Sequence, residues 1–126
     1  MEETQEVSMI YRKIAVRSDD APKRFYRTLY VKEDIGLREL GCVFLTAFKA
    51  EYEHLFLFRE NQSLQYVSKP FMDGPDIPDS YECMNDYHLY DLDNHFDFLY
   101  DTGDYWFFRC TVYKKTVEKY VQAAGY

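Results

Sequence analysis

Tyr100-Asp101-Thr102-Gly103-Asp104-Tyr105-Trp106 lies between two segments in which large apolar residues alternate with other side chains. Before it, Phe96, Phe98 and Tyr100 share one side of an extended chain. After it, Trp106, Phe108, Cys110 and Val112 do the same. A period of two is the signature of a half-buried strand. Gly103 supplies the positive φ that a short connection between two twisted strands requires. Asp101 and Asp104 carry short side chains suited to bonding the exposed amides of the bend. The stretch therefore reads as a β-hairpin, 96–101 paired with 105–113.

The rest of the chain fits around this ribbon. Residues 8–17 read as a strand with Ile10, Ile14 and Val16 on one face, and 24–33 as a second strand. Ser18 to Pro22 between them is turn-forming. Leu37, Leu40, Val43, Phe44, Ala47 and Phe48 recur at helical spacing, predicting an amphipathic helix over 37–50. Asp34 or Gly36 would cap that helix, and Glu39 sits in the first turn, where the dipole favours an acid. A strand is expected at 52–59, a short extended piece around 64–67, a long loop at 68–86 and one helical turn within 88–95. Residues 116–124 fit a short helix or a last strand. The expected fold is α+β, a single domain over 1–126, with an antiparallel β-sheet and one principal α-helix packed on it. Residues 1–7 are expected to be frayed.

Aromatic residues make up 19% of the chain, with 13 Tyr, 10 Phe and 1 Trp, which favours sheet. Net charge is −7 and unevenly spread. Residues 70–108 contain ten acids and no Lys or Arg. Such an acidic segment repels phosphate, so nucleic-acid binding is disfavoured. Arg12, Arg17, Lys23, Arg24 and Arg27 read as the solvated edge of two strands rather than as a basic patch. Cys42, Cys83 and Cys110 are an odd, widely spaced set, which argues against a disulfide framework. Met1 to Ser8 has no apolar core, so no signal peptide is expected. No run approaches the ~20 apolar residues of a membrane span. A cytoplasmic location is expected.

Several chemistries compete for these side chains. Asp91-Leu92-Asp93-Asn94-His95-Phe96-Asp97 crowds oxygen ligands, but a calcium loop needs Gly and Glu where Phe96 and Thr102 stand. His54, His88 and His95 lack ligand-like spacing on one helix face. No metal or other cofactor is expected. Cys83 with His88 is the one plausible thiol–imidazole pair, outweighed by an incidental loop cysteine. Asp101 and Asp104 among aromatic rings form an acid pair whose simpler role is capping the bend. Exposed Tyr gives large contact area at low entropic cost, so an acidic, Tyr-rich surface for a protein partner is expected.

The hairpin run resembles the Tyr-Asp-Phe-Gly-Asp-x-Trp pattern of the Ri-plasmid open-reading-frame-three-like family, whose members are also labelled insertion-element passenger, TnpR-like proteins. The likeness continues upstream. Phe25-Tyr26-Arg27-Thr28-Leu29-Tyr30-Val31 resembles a family strand and Asp34-Ile35-Gly36-Leu37-Arg38-Glu39-Leu40 its helix start. Tyr52-Glu53-His54-Leu55-Phe56-Leu57-Phe58 resembles a further strand, and Tyr120 to Gly125 a late segment. Thr102, Gly36, Phe108 and Phe56 depart from the pattern; the last two replace histidines with aromatic packing. The resemblance implies an antiparallel sheet with a packed helix, and no established catalytic residues. The expected role is a non-catalytic binding or interaction module, its candidate constellation being His54, Tyr100, Asp101, Gly103, Asp104 and Trp106. The alternatives are a small enzyme with an Asp/His pocket near the 101–106 hairpin, and a nucleic-acid accessory protein.

Overall fold

The computed structural model describes residues 4–18, 25–49, 55–60, 64–67, 72, 77–101 and 105–124; at residues 4–8, 25, 64, 101, 105 and 118–124 it describes the backbone alone. The elements are β1 (Thr4–Ser18), β2 (Phe25–Lys32), α1 (Leu37–Ala47), β3 (Phe56–Glu60), β4 (Leu64–Val67), β5 (Tyr81–Cys83), β6 (His95–Asp101) and β7 (Tyr105–Ala124). Short 3-10 turns cover Met84–Asp86 and Leu89–Asp91. The strands form one seven-stranded sheet in the order β2-β1-β7-β6-β3-β4-β5.

The hairpin forms as its alternation dictates. Asp101 pairs with Tyr105, Tyr100 with Trp106 and Phe98 with Phe108. Trp106 packs half-buried against the core. Residues 102–104, with the turn glycine Gly103, lie outside the described residues. Beyond the hairpin, β7 continues without a break and pairs antiparallel with β1 from Ala124 to Arg109. Residues 116–124 are therefore strand. Thr4 to Val7 pair with residues 121–124 in the same ladder. The register shifts between Arg12 and Ile14, and the Arg12 guanidinium spans the irregularity, donating to the carbonyls of Tyr113 (3.3 Å) and Lys114 (2.8 Å).

One expectation needs correcting. The sheet is mixed rather than wholly antiparallel, because β4 and β5 run parallel. The reason is chain length: residues 68–80 supply the dozen or so positions that a crossover between parallel strands needs. The predicted 68–86 loop thus ends earlier, with β5 and a 3-10 turn in its last part. Of the predicted strand 52–59, Phe56 to Arg59 lie in β3, and residues 51–54 are outside the described residues.

Helix α1 starts where the pattern places it. Gly36 is extended (φ −70°, ψ 151°) and its carbonyl accepts from the Leu40 N–H at 2.9 Å. The helix stops at Ala47, three residues short of the prediction, and Lys49 takes φ 56°, a left-handed conformation typical of helix ends. Leu37, Leu40, Phe44 and Leu45 are buried against one face of the sheet. Phe44 meets Phe98 edge-on (5.2 Å, 81°), and Phe48 stacks on Phe108 (4.5 Å, 18°). Such ring pairs add about 0.5–1.5 kcal/mol each beyond the area they bury. Among the described residues no helix is long and apolar enough to cross a membrane.

With the helix on one face, alternation assigns every strand residue a side. Ile14, Val16, Phe58, Phe96, Phe98, Tyr100, Phe108 and Cys110 point into the core. Their neighbours in sequence point to the opposite face, which α1 does not cover.

Candidate functional site

The hairpin constellation is only partly assembled on the described residues. Tyr100 is buried on the helix side of β6, and its ring meets Trp106 edge-on at 5.7 Å and 77°. These two rings belong to the core. Asp101 is described through its backbone alone, and His54, Gly103 and Asp104 lie outside the described residues.

The open face holds a second constellation, which no single stretch of sequence announces. Register places Tyr26 of β2 beside Arg17 of β1, Arg17 beside Arg109 of β7, Arg109 beside Asp97 of β6, and Asp97 beside Arg59 of β3. Directly paired residues point to the same side of a sheet, so these five side chains form one row across five strands. Four residues further along, Tyr30 pairs with Lys13, whose ammonium sits 4.8 Å above the Tyr113 ring. Between the rows lie Thr28, Ala15 and Thr111, again neighbours by register.

Small residues between two tall rows make a trough of about 620 Å3, lined among others by Ala15, Arg17, Tyr26, Arg59, Arg109 and Tyr113. At ~3.3 Å per residue the rows stand about 13 Å apart, and the five strands at ~4.8 Å span about 19 Å. His95 closes one end, its Nδ1 3.4 Å from the Thr111 hydroxyl.

The guanidiniums in this row are held by rings as well as by charge. Arg59 lies 5.4 Å and Arg109 5.8 Å from the Phe107 ring centroid. Cation–π contacts of this kind contribute about 0.5–1 kcal/mol at exposed sites. Arg59 also reaches Asp97 at 3.4 Å, a long pairing, and its Nε is shielded from solvent with no hydrogen-bond partner among the described residues. Arg109 has no carboxylate partner among the described residues. Among the described residues, Lys13, Arg17, Arg59 and Arg109 share this face with Asp97, on a chain whose net charge is −7. The exposed tyrosines Tyr26 (59%), Tyr30 (57%) and Tyr113 (41%) stand among these cations. Tyr90, at 61%, stands beside Asp91 instead, its ring stacked on His88 at 4.9 Å.

On the helix side, Glu60 is 8% exposed at the end of β3. Burial and the nearby Asp93 carboxylate raise its pKa above the ordinary value of 4.5. The Tyr66 hydroxyl donates to Glu60 Oε1 at 3.2 Å. Burial and Glu60 together push that phenol above the usual tyrosine range. Tyr87 is raised too, first by donating to Glu82 (3.1 Å) and then by burial. Cys110 is buried, and desolvation holds its thiol well above 9.0. Cys83 is half-buried in β5, and Cys42 is half-buried on α1. The acids of residues 91–97 have separate tasks: Asp91 accepts from the His88 backbone N–H (2.8 Å), and Asp97 pairs with Arg59. Among the described residues no group of three or more His, Cys, Asp or Glu is placed to hold a metal ion.

This geometry defines an α+β protein with a helix on one sheet face and a trough lined by arginines and tyrosines on the other. The plasmid pRiA4b ORF-3-like protein family model matches residues 7–124, and the chain belongs to that family. No curated protein matches it. Among solved structures the chain is similar to a crystallised protein of unknown function from Methanosarcina mazei Go1, MM3350. The likeness has a TM-score of 0.69 at 14% identity, over 93% of this chain and 69% of that one. At that identity the likeness is one of fold.

Proposed function

We propose that this domain is a non-catalytic binding module whose binding surface is the open face of the sheet, and that its partner is anionic. One observation supports the reading above the others: register alone lines up Arg17, Arg109 and Arg59 across β1, β7 and β3 beside a floor of Ala15 and Thr111. Arg109 has no carboxylate partner among the described residues, since Asp97 beside it pairs with Arg59, and a bound anion would supply one.

The test is a titration of isotope-labelled protein with sodium tripolyphosphate at low salt, followed through backbone amide shifts. The expected shifts cluster on residues 13–17, 95–97 and 107–111, and Arg109→Glu removes them. Shifts centred on residues 100–106, or none at millimolar tripolyphosphate, would overturn the reading.

A further inference from the structure

We infer that the outer edge of β2 pairs antiparallel with β2 of a second copy of this chain, with the two-fold axis at Thr28. The backbone gives the first reason. β2 ends the strand order, and β1 is its one neighbour among the described residues. The Glu33 N–H donates to the Ile10 carbonyl at 2.9 Å, one step beyond the Tyr11–Lys32 pair. Bonded and non-bonded pairs alternate along an antiparallel ladder. Val31, Leu29 and Arg27 therefore turn their amides and carbonyls towards β1, and Tyr26, Thr28, Tyr30 and Lys32 turn theirs outward. Two outward carbonyls are engaged locally: that of Tyr26 accepts from Arg27 Nη1 at 3.0 Å, and that of Lys32 from the Ile35 N–H at 3.1 Å. Thr28 and Tyr30 present both backbone groups to the outer side of the sheet.

Proteins blunt such edges with short strands, bulges, proline or inward-pointing charges. At the opposite end of the sheet, β5 has three residues. β2 has eight, in unbroken register with β1 and without proline. Its sequence is self-complementary about Thr28. Tyr26 and Tyr30 stand two residues to either side, both on the open face and exposed by 59% and 57%. Antiparallel pairing centred on Thr28 sets Thr28 opposite its own copy and each Tyr26 opposite the second copy's Tyr30. Thr–Thr and aromatic pairs are among the cross-strand contacts that sheets favour. On the helix side Arg27 falls opposite Leu29, so no like charges meet directly among the described residues. The even spacing keeps both helices on one side of a continuous sheet. Tyr26 also lines the trough, so the second copy adds its Tyr30 to that wall. A foreign strand would meet the same amides, but a second copy supplies this match on both sides of the axis. Pairing by this edge is independent of what the open face binds.

The experiment is sedimentation velocity, with hydrogen exchange followed at the β2 amides. One strand pair is a small interface, so association is expected between about 10 μM and about 1 mM. Across that range the wild type is expected to double in mass, and the Thr28 and Tyr30 amides to gain protection. Thr28→Pro removes the amide on each side of the axis and spares the ladder to β1, because that amide faces outward. Loss of the two bonds weakens dimerisation about 30-fold. Thr28→Lys and Thr28→Glu each set like charges on the axis and are expected to remain monomeric, whereas their mixture forms a heterodimer. Thr28 is exposed, and urea melts confirm that each variant is folded. Heterodimer formation by the mixture alone supports the inference. A wild type still monomeric at about 1 mM overturns it, as does a dimer that Thr28→Pro leaves unchanged. Either charged variant dimerising at wild-type strength, or a mixture no more associated than its components, overturns the Thr28 axis.

Discussion

Gly41 sits in the middle of α1, where glycine costs about 0.5–1 kcal/mol relative to alanine. Helix propensity alone therefore predicts that Gly41→Ala stabilises the protein. The packing predicts the opposite. A Cβ on Gly41 would lie 2.1, 2.5 and 2.7 Å from three carbons of the Phe56 ring, whereas carbons separate comfortably at about 3.5–4.0 Å. The ring must retreat by more than about 1 Å. It is held by Phe58 (6.2 Å, 85°) and Phe98 (5.5 Å, 45°). Overpacking typically costs about 1–3 kcal/mol, and weakening a ring pair adds up to about 1.5 kcal/mol. Against a helix gain of up to about 1 kcal/mol, Gly41→Ala is expected to destabilise the fold by about 1–2 kcal/mol. With a urea m-value of about 2 kcal/mol/M, the midpoint falls by about 0.5–1 M. In a Phe56→Ala background the obstruction is gone, and Gly41→Ala is expected to stabilise by about 0.5–1 kcal/mol. A four-way cycle of urea melts thus yields a coupling of about 2 kcal/mol, with a change of sign. Stabilisation in the wild-type background, or the same loss in both, would refute the close-approach argument.

Glu60 and Cys110 give two more predictions. Because the folded Glu60 carboxyl is raised above 4.5, the native state holds that proton more tightly than the unfolded chain. Its contribution to stability is present below pH 4.5 and is lost as pH rises through the folded value. Glu60→Gln, whose amide oxygen still accepts from Tyr66, is expected to raise the melting temperature at pH 7 relative to wild type and to flatten the decline above pH 4.5. Parallel wild-type and variant profiles in thermal melts would contradict that. Cys110, buried and with its thiolate suppressed by desolvation, is expected to be the last of the three thiols labelled by a maleimide, reacting only on unfolding. Mass spectrometry of the native protein showing Cys110 modified as fast as Cys83 would disprove it.

Legibility in the sequence followed the range of the interaction responsible. The hairpin was readable because its pattern is local and two-periodic, and α1 because six apolar residues recur at helical spacing beside Gly36. Residues 116–124 were ambiguous for the same reason. Val117, Tyr120, Val121 and Ala124 fall at spacings that suit a helix, and only the distant β1 makes them strand. The three residues of β5 are too short a segment to show a period, and their direction follows from the chain that precedes them.

The trough lies at the far end of that scale. Tyr26, Arg17, Arg109, Asp97 and Arg59 come from five strands, and a one-residue slip in any strand would turn its contribution to the other face. Charge averaged over residues 70–108 records a surplus of acids and says nothing of which face they occupy. The sequence by itself determined the hairpin, the helix, the open ends of the strands in outline and the family to which they belong, because these rest on alternation and turn chemistry within a few residues. Only the tertiary structure decided that one pair of strands runs parallel, that Gly41 makes room for Phe56, and that cations scattered over some ninety positions meet on one face, because register between distant strands is a property of the whole sheet.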